Sequence, residues 1–220
     1  MKLPDLPTAL RAFDRRERGL VVAWALDRIG FSLGYEFRSQ LASALPSSCS
    51  PVSADAFAAM DYEMRWLHGA LAAIVGQEAG PVAPIEQNGV DDSSLPPLEW
   101  TNEDVDLLVA YSKGVTTQLL MIEAKGYTKW NAQQTVHKKD RLTALFGEEG
   151  NRIPRVCPHL VFVGPVPPQK GTSEWPEWML RDGQPVFIPL PQPTGQKYRL
   201  ARKHAADGTW KIEPARWPGQ

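Results

Sequence analysis

Leu119-Leu-Met-Ile-Glu-Ala-Lys125 is the stretch from which the fold can be read. Four consecutive apolar residues, Leu119 to Ile122, suit a β-strand covered on both faces. Side chains alternate along a strand, so Glu123 and Lys125 project to one face, a single pleat apart. Upstream, Asp104-Val-Asp-Leu-Leu-Val-Ala-Tyr111 is a second strand with acids at its start. Ser112-Lys-Gly-Val115 between them reads as a hairpin turn in which Gly114 takes positive φ. Antiparallel pairing then brings Asp106 near Glu123 and Lys125 at one end of the sheet.

Working outward, residues 131–146 are helical by composition, with Val136, Leu142, Leu145 and Phe146 available to a core. Pro158-His-Leu-Val-Phe-Val163 is a compact apolar strand ending at Gly164-Pro165. Strand, helix, strand is the pattern of a parallel crossover. On the upstream side, Ser53 caps a helix running to about Gly76, with Phe57, Met60, Met64, Leu67, Leu71 and Ile74 at helical spacing. Glu63 and Asp61 fall on opposite borders of that stripe. Either one looks past the core edge into a cleft, or both are ordinary boundary acids. Residues 79–98 read as a loop, and Leu98-Glu-Trp100 as the start of the sheet.

Nearer the N-terminus, Asp14 and Glu17 form a capping pattern before an apolar stripe of Leu20, Val21, Trp24 and Ala25, ending near Gly30. Phe37, Leu41 and Leu45 mark another short helix, and residues 46–51 a linker. Past Pro165 the chain is rich in proline, and Trp175 and Trp178 offer a binding surface. Residues 185–189 are an edge strand by their prolines, and residues 197–202 and 209–212 a terminal hairpin. The expected division is a helical extension over 1–50, a core over 51–165, and terminal loops and strands over 166–220 packed on that core.

The 220 residues are 43% hydrophobic with a formal net charge of −1, so overall charge does not hold this chain on nucleic acid. Local charge differs. Lys113, Lys125, Lys129, Lys138, Lys139 and Arg141 face Glu123 and Asp140 alone between positions 113 and 141. Trp130 sits among them and can stack on a base or sugar. The terminal hairpin carries a similar basic surplus. No run of about 18 apolar residues occurs, which excludes a helical membrane span. The opening residues lack the apolar core of a secretion signal, and Cys49 and Cys157 match no zinc spacing. A reduced, cytoplasmic protein is the expectation.

Asp106, a gap, then Glu123-Ala-Lys125 resembles the PD-(D/E)XK, or restriction-endonuclease-like, nuclease superfamily. Asp106-Leu-Leu-Val and Met121-Ile-Glu-Ala-Lys are the local matches, and Val105 stands where that family often has proline. The following helix adds Gln134-Thr-Val-His-Lys138, an accessory pattern of several branches, with Gln133 as the adjacent alternative. A lone acid-x-Lys triplet is common; the combination carries the resemblance.

The resemblance covers about residues 53–165 and implies an α/β fold with a mixed central sheet flanked by helices. It implies a Mg²⁺-dependent deoxyribonuclease, with Mn²⁺ as a substitute cation. Asp106 and Glu123 would be metal ligands, joined by the main-chain carbonyl of Ala124 and a helix acid. Glu63 is the candidate for that acid, with Asp61 and Glu36 as alternatives. Lys125 would be the catalytic lysine and Gln134 a residue facing the phosphates. Lys113, Lys129, Trp130, Lys138, Lys139 and Arg141 would face DNA. Carboxylates suit Mg²⁺ because it prefers oxygen ligands, and the cation acidifies water and clamps phosphate oxygens. The implied setting is restriction, repair or phage defence, as a homodimer or as a subunit of a larger defence complex. The alternative is a nuclease-fold subunit that binds DNA or protein without chemistry.

Overall fold

The computed structural model describes residues 5–14, 21, 25, 32–79, 104–126, 128, 130–168, 174–191, 197–202 and 210–215. Its helices are α1 (Leu6–Phe13), α2 (Tyr35–Ala44), α3 (Met64–Ala79) and α4 (Ala132–Phe146). Its strands are β1 (Phe57–Glu63), β2 (Asp104–Lys113), β3 (Thr116–Ala124), β4 (Val156–Gly164), β5 (Leu180–Arg181), β6 (Gln184–Pro189), β7 (Tyr198–Arg202) and β8 (Trp210–Pro214). The first six strands form one mixed sheet in the order β1-β2-β3-β4-β6-β5, and β7-β8 is a separate hairpin. β1, β2 and β3 are antiparallel, while β3, β4 and β6 run parallel. The fold is α/β, with helices on both faces of the six-stranded sheet. Among the described residues no helix is long and apolar enough to cross a membrane.

β3 is the centre because nothing polar interrupts its middle. Leu119 and Met121 face one core, Leu120 and Ile122 the other, and all four are buried. The first core is closed by α1, α3 and α4, the second by α2 and the Ser47–Cys49 turn. The β2–β3 hairpin closes over Gly114 and Val115, with Gly114 at φ +61°, the glycine-first pattern of a type II′ turn. α4 then returns the chain so that β4 can lie parallel to β3 from Thr117↔Val156 to Ala124↔Val163. Asn131 opens that helix by accepting from the amides of Gln133 and Gln134 at 2.9 and 3.4 Å.

The helix expected from Ser53 to Gly76 is instead a strand followed by a helix, β1 and then α3. The helical spacing of Phe57, Met60 and Met64 is an accident of a phase slip. Phe57 and Ala59 face the first core and Ala58 the second, as a strand requires. Asp61 then adopts φ +49°, and Tyr62 returns to the face of Phe57, their rings 5.8 Å apart edge to face. Opposite it, Val105 shares the face of Leu108 and Ala110, with Asp106 at the slip. A break in alternation disguises the strand, and pairing with β2 overrides local propensity.

At the N-terminus the structure adds a helix ahead of the expected one: Asp5 accepts from the Thr8 amide at 2.8 Å to start α1, and Asp14 closes it. Val21 and Ala25, on the stripe expected after Asp14, are both helical. Leu6 and Leu10 are buried, each stabilising by ~2 kcal/mol, and the Tyr62 hydroxyl donates to the Leu10 carbonyl at 2.8 Å. Of the stretch expected to follow, 15–30, only Val21 and Ala25 are described, and residues 80–103, with the expected loop and sheet start, lie outside the described residues. The Phe37–Leu45 helix is present as α2. The 185–189 strand is present within β6, where β5 covers Gln184 and Pro185 and residues 186–189 pair with β4 alone among the described strands, as expected of an edge. Trp175 and Trp178 form no binding surface: Trp175 is buried, and Trp178 donates to the Gly147 carbonyl at 3.1 Å with its ring against Phe146.

The linker at 46–51 is fastened to the sheet by a small polar cluster. Cys49 Sγ lies 3.3 Å from Gln118 Oε1 and 3.2 Å from His159 Nε2, and the Tyr111 hydroxyl donates to the Cys49 carbonyl. Burial pushes the His159 imidazole down to about 4 from its ordinary 6.5. A folded-state pKa below the unfolded value means that the unfolded chain binds the extra proton first. This stability is therefore complete above pH 6.5 and is lost as pH falls from about 6.5 toward about 4. Urea midpoints at pH 7.5 and 4.5 should show wild type losing up to about 3 kcal/mol more than His159→Gln; equal losses would mean that His159 takes its proton without strain.

Candidate functional site

The β2–β3 ladder stops one residue short of the acids. Its last pair at this end is Leu107↔Ile122. Beyond it the strands part, and the Ala124 amide, which would otherwise lack a partner on β2, donates to Asp106 Oδ2 at 2.6 Å. On its other side β3 stays zipped to β4, the Lys125 amide donating to the Val163 carbonyl at 2.9 Å. A cleft of about 200 Å³ opens here, lined by Asp104, Asp106, Glu123, Lys125, Trp130, Asn131, Gln134, Thr135, Lys138 and Phe162.

Glu123 lies on the face of β3 that α4 covers, at the border between core and cleft. Its carboxyl is pushed up to about 7, first by burial, with Asp106 adding repulsion and Lys138 and Lys125 pulling the other way. Lys138 Nζ sits 3.0 Å from Glu123 Oε1 and donates to the Asp104 carbonyl at 2.6 Å. The contact with Glu123 is an ion pair. Lys138 is 8% exposed, so this is an inward-facing ammonium.

Trp130 forms one wall, its ring edge-on to Phe162 with centroids 5.1 Å apart and its Nε1 donating to the Val166 carbonyl at 2.7 Å. Lys125 Nζ stands 5.9 Å from the centre of that ring. Gly164 makes the wall possible. A Cβ there would fall 3.1 Å from the Lys125 carbonyl and 3.3 Å from Trp130, so a side chain would displace both.

Asp106, Glu123, Lys125, Gln134, Lys138 and Trp130 thus come together as the sequence suggests, while several other expectations are corrected. Lys113 is at the far end of β2, donating to the Ser47 and Ser50 carbonyls, because a ten-residue strand carries it about 30 Å from Asp104. Lys138 faces Glu123 instead of an outer surface. Lys139 contacts Asp140 at 2.6 Å and the Glu174 carbonyl at 3.4 Å, Arg141 is half-buried, and Lys129 lies outside the described residues. Glu63 does not line the cleft; it ends β1 beside Asp104, its carboxylate on Arg65. Asp61 is exposed at the bend of β1, and Glu36 belongs to α2, which covers the other face of the sheet, its carboxylate accepting from Gln40 at 3.1 Å. In the terminal hairpin Arg199 and Lys211 are both held by Glu213.

Asp104, Asn131 and Thr135 line the cleft without having been singled out. The signal for Asp104 was its place two residues before Asp106, and for Asn131 its position just before a helical run. Among the described residues no three His, Cys, Asp or Glu side chains form a ready-made metal cage. Comparison with protein-family models, with curated proteins and with solved structures gave no match.

The geometry makes a direct statement about one proton. Carbon-13 NMR of the Glu123 carboxyl should titrate near pH 7, and Lys138→Met should move that titration higher, since the ammonium favours the charged form. A titration near the ordinary carboxylate range would contradict the burial described for Glu123.

Proposed function

We propose that the chain is a metal-dependent deoxyribonuclease of the PD-(D/E)XK, restriction-endonuclease-like kind. The observation that carries the reading is the convergence of Asp106, Glu123 and Lys125 in one cleft, roofed by the helix that bears Gln134 and Lys138. The sheet supports it too: three antiparallel strands, then a crossover helix and a parallel strand.

The donor set suits a hard divalent cation. Asp106 and Glu123 offer carboxylate oxygens from adjacent strands, and the burial and mutual repulsion that raise the Glu123 pKa are relieved by added positive charge. Mg²⁺ or Mn²⁺ held there supplies charge for the phosphate oxygens and acidifies water. Lys125 orients the attacking water or neutralises the phosphate, and its place beside Trp130 keeps the ammonium at the cleft. Gln134, exposed on the first turn of α4, is placed to hydrogen-bond a phosphate oxygen. The partner is DNA, in a restriction, repair or phage-defence role, as a homodimer where both strands are cut or within a larger defence complex.

Plasmid and single-stranded DNA incubated with Mg²⁺, Mn²⁺ or EDTA test the reading. Wild type should cut with metal and not with EDTA, and Lys125→Ala and Asp106→Ala should each lose ~100-fold or more. Failure of wild type to cut any substrate, joined to DNA binding, would replace the enzyme with a non-catalytic binding subunit.

A further inference from the structure

The carboxylate oxygens of the site are already partly spoken for. Asp106 Oδ2 accepts from the Ala124 amide at 2.6 Å. Glu123 Oε1 faces the Lys138 ammonium at 3.0 Å, and the same ammonium holds the Asp104 main-chain carbonyl at 2.6 Å. An oxygen that accepts one donor keeps a second lone pair, so Asp106 and Glu123 can each still ligate a cation, with the Lys138 ammonium already beside Glu123 Oε1. Two-metal sites place their cations about 3.5–4 Å apart and share carboxylate oxygens between them. A second divalent ion at Glu123 Oε1 would meet the like charge of the Lys138 ammonium, 3.0 Å from that oxygen.

Charge points the same way. With Glu123 ionised, as a bound cation would make it, Asp104, Asp106 and Glu123 bring three negative charges to the cleft, and Lys125 and Lys138 bring two positive ones. One divalent cation and one phosphodiester then leave the site neutral, whereas a second divalent cation leaves it with two excess positive charges. Lys138 is also fixed in place, being 8% exposed and held at two points, so it acts as a standing charge.

We infer that this site takes a single divalent cation and that the Lys138 ammonium stands in the position a second one would use. The inference rests on the nuclease reading and specifies its metal content. Lys138 is then a positioning residue: it fixes Glu123 and the Asp104 backbone and supplies the second positive centre without exchanging with solvent.

Mn²⁺ binding to the full-length chain, counted by equilibrium dialysis with electron paramagnetic resonance of free Mn²⁺, tests this without any cleavage readout. Wild type should bind one Mn²⁺ per chain and Asp106→Asn should lose it. Lys138→Met, which keeps the aliphatic stem but drops the charge, should bind two, and Lys138→Arg should keep one. Lys138→Gln provides the same count if Lys138→Met does not fold. Two Mn²⁺ on wild type, or one on the uncharged variants, would overturn the role given to Lys138 and leave the nuclease reading standing. No Mn²⁺ on wild type would remove the metal site and both readings with it.

Discussion

Removing the Glu123 carboxylate from water is the constraint around which this end of the molecule is arranged. A charge at the tip of a strand that is otherwise apolar on both faces costs several kcal/mol unless it is compensated. The compensation comes from Lys138, which reaches in from α4 and is itself held by the Asp104 carbonyl. The position of α4 is therefore fixed at both ends. Leu142, Leu145 and Phe146 anchor its second half in the core, and Lys138 ties its first half to β2 and β3. The same desolvation raises the Glu123 pKa, so the carboxylate gains from any further positive charge brought into the cleft.

The break in the sheet is the second part of the arrangement. Strands that stayed paired to their ends would hand the Ala124 amide to β2 and leave Asp106 pointing into solvent or core. Parting after Leu107↔Ile122 frees the amide, and the Asp106 side chain takes it. A ladder hydrogen bond is thus replaced by one to a carboxylate, which places that carboxylate next to Glu123. β4 keeps the other flank of β3 rigid through Lys125 and Val163, so opening on one side does not loosen the strand.

Much of this was legible because the decisive elements keep their period. β3 and β4 have strong apolar runs and Gly114 punctuates the hairpin, so the strands, the crossover and the meeting of Asp106, Glu123 and Lys125 follow from spacing, while Gln134 was singled out by the family resemblance. The failures have equally physical causes. β1 changes phase at Asp61, which made a strand look helical and moved Glu63 off a helix face onto a strand end. Lys138 looked like one more member of a basic surface because sequence shows charge but not which way a long side chain turns. Lys113 was grouped with the site through nearness in sequence, although a strand carries its two ends apart. The tryptophans at 175 and 178 sit in a proline-rich stretch yet close the core, which composition does not reveal.

The residues that line the cleft all fall between Asp104 and Phe162, within one hairpin and the single crossover that follows it. Closing that segment needs a two-residue turn and one helical return. Cleft geometry is accordingly set by short-range topology. The N-terminal α1 reaches the cleft only through the core it shares with β3 and α4.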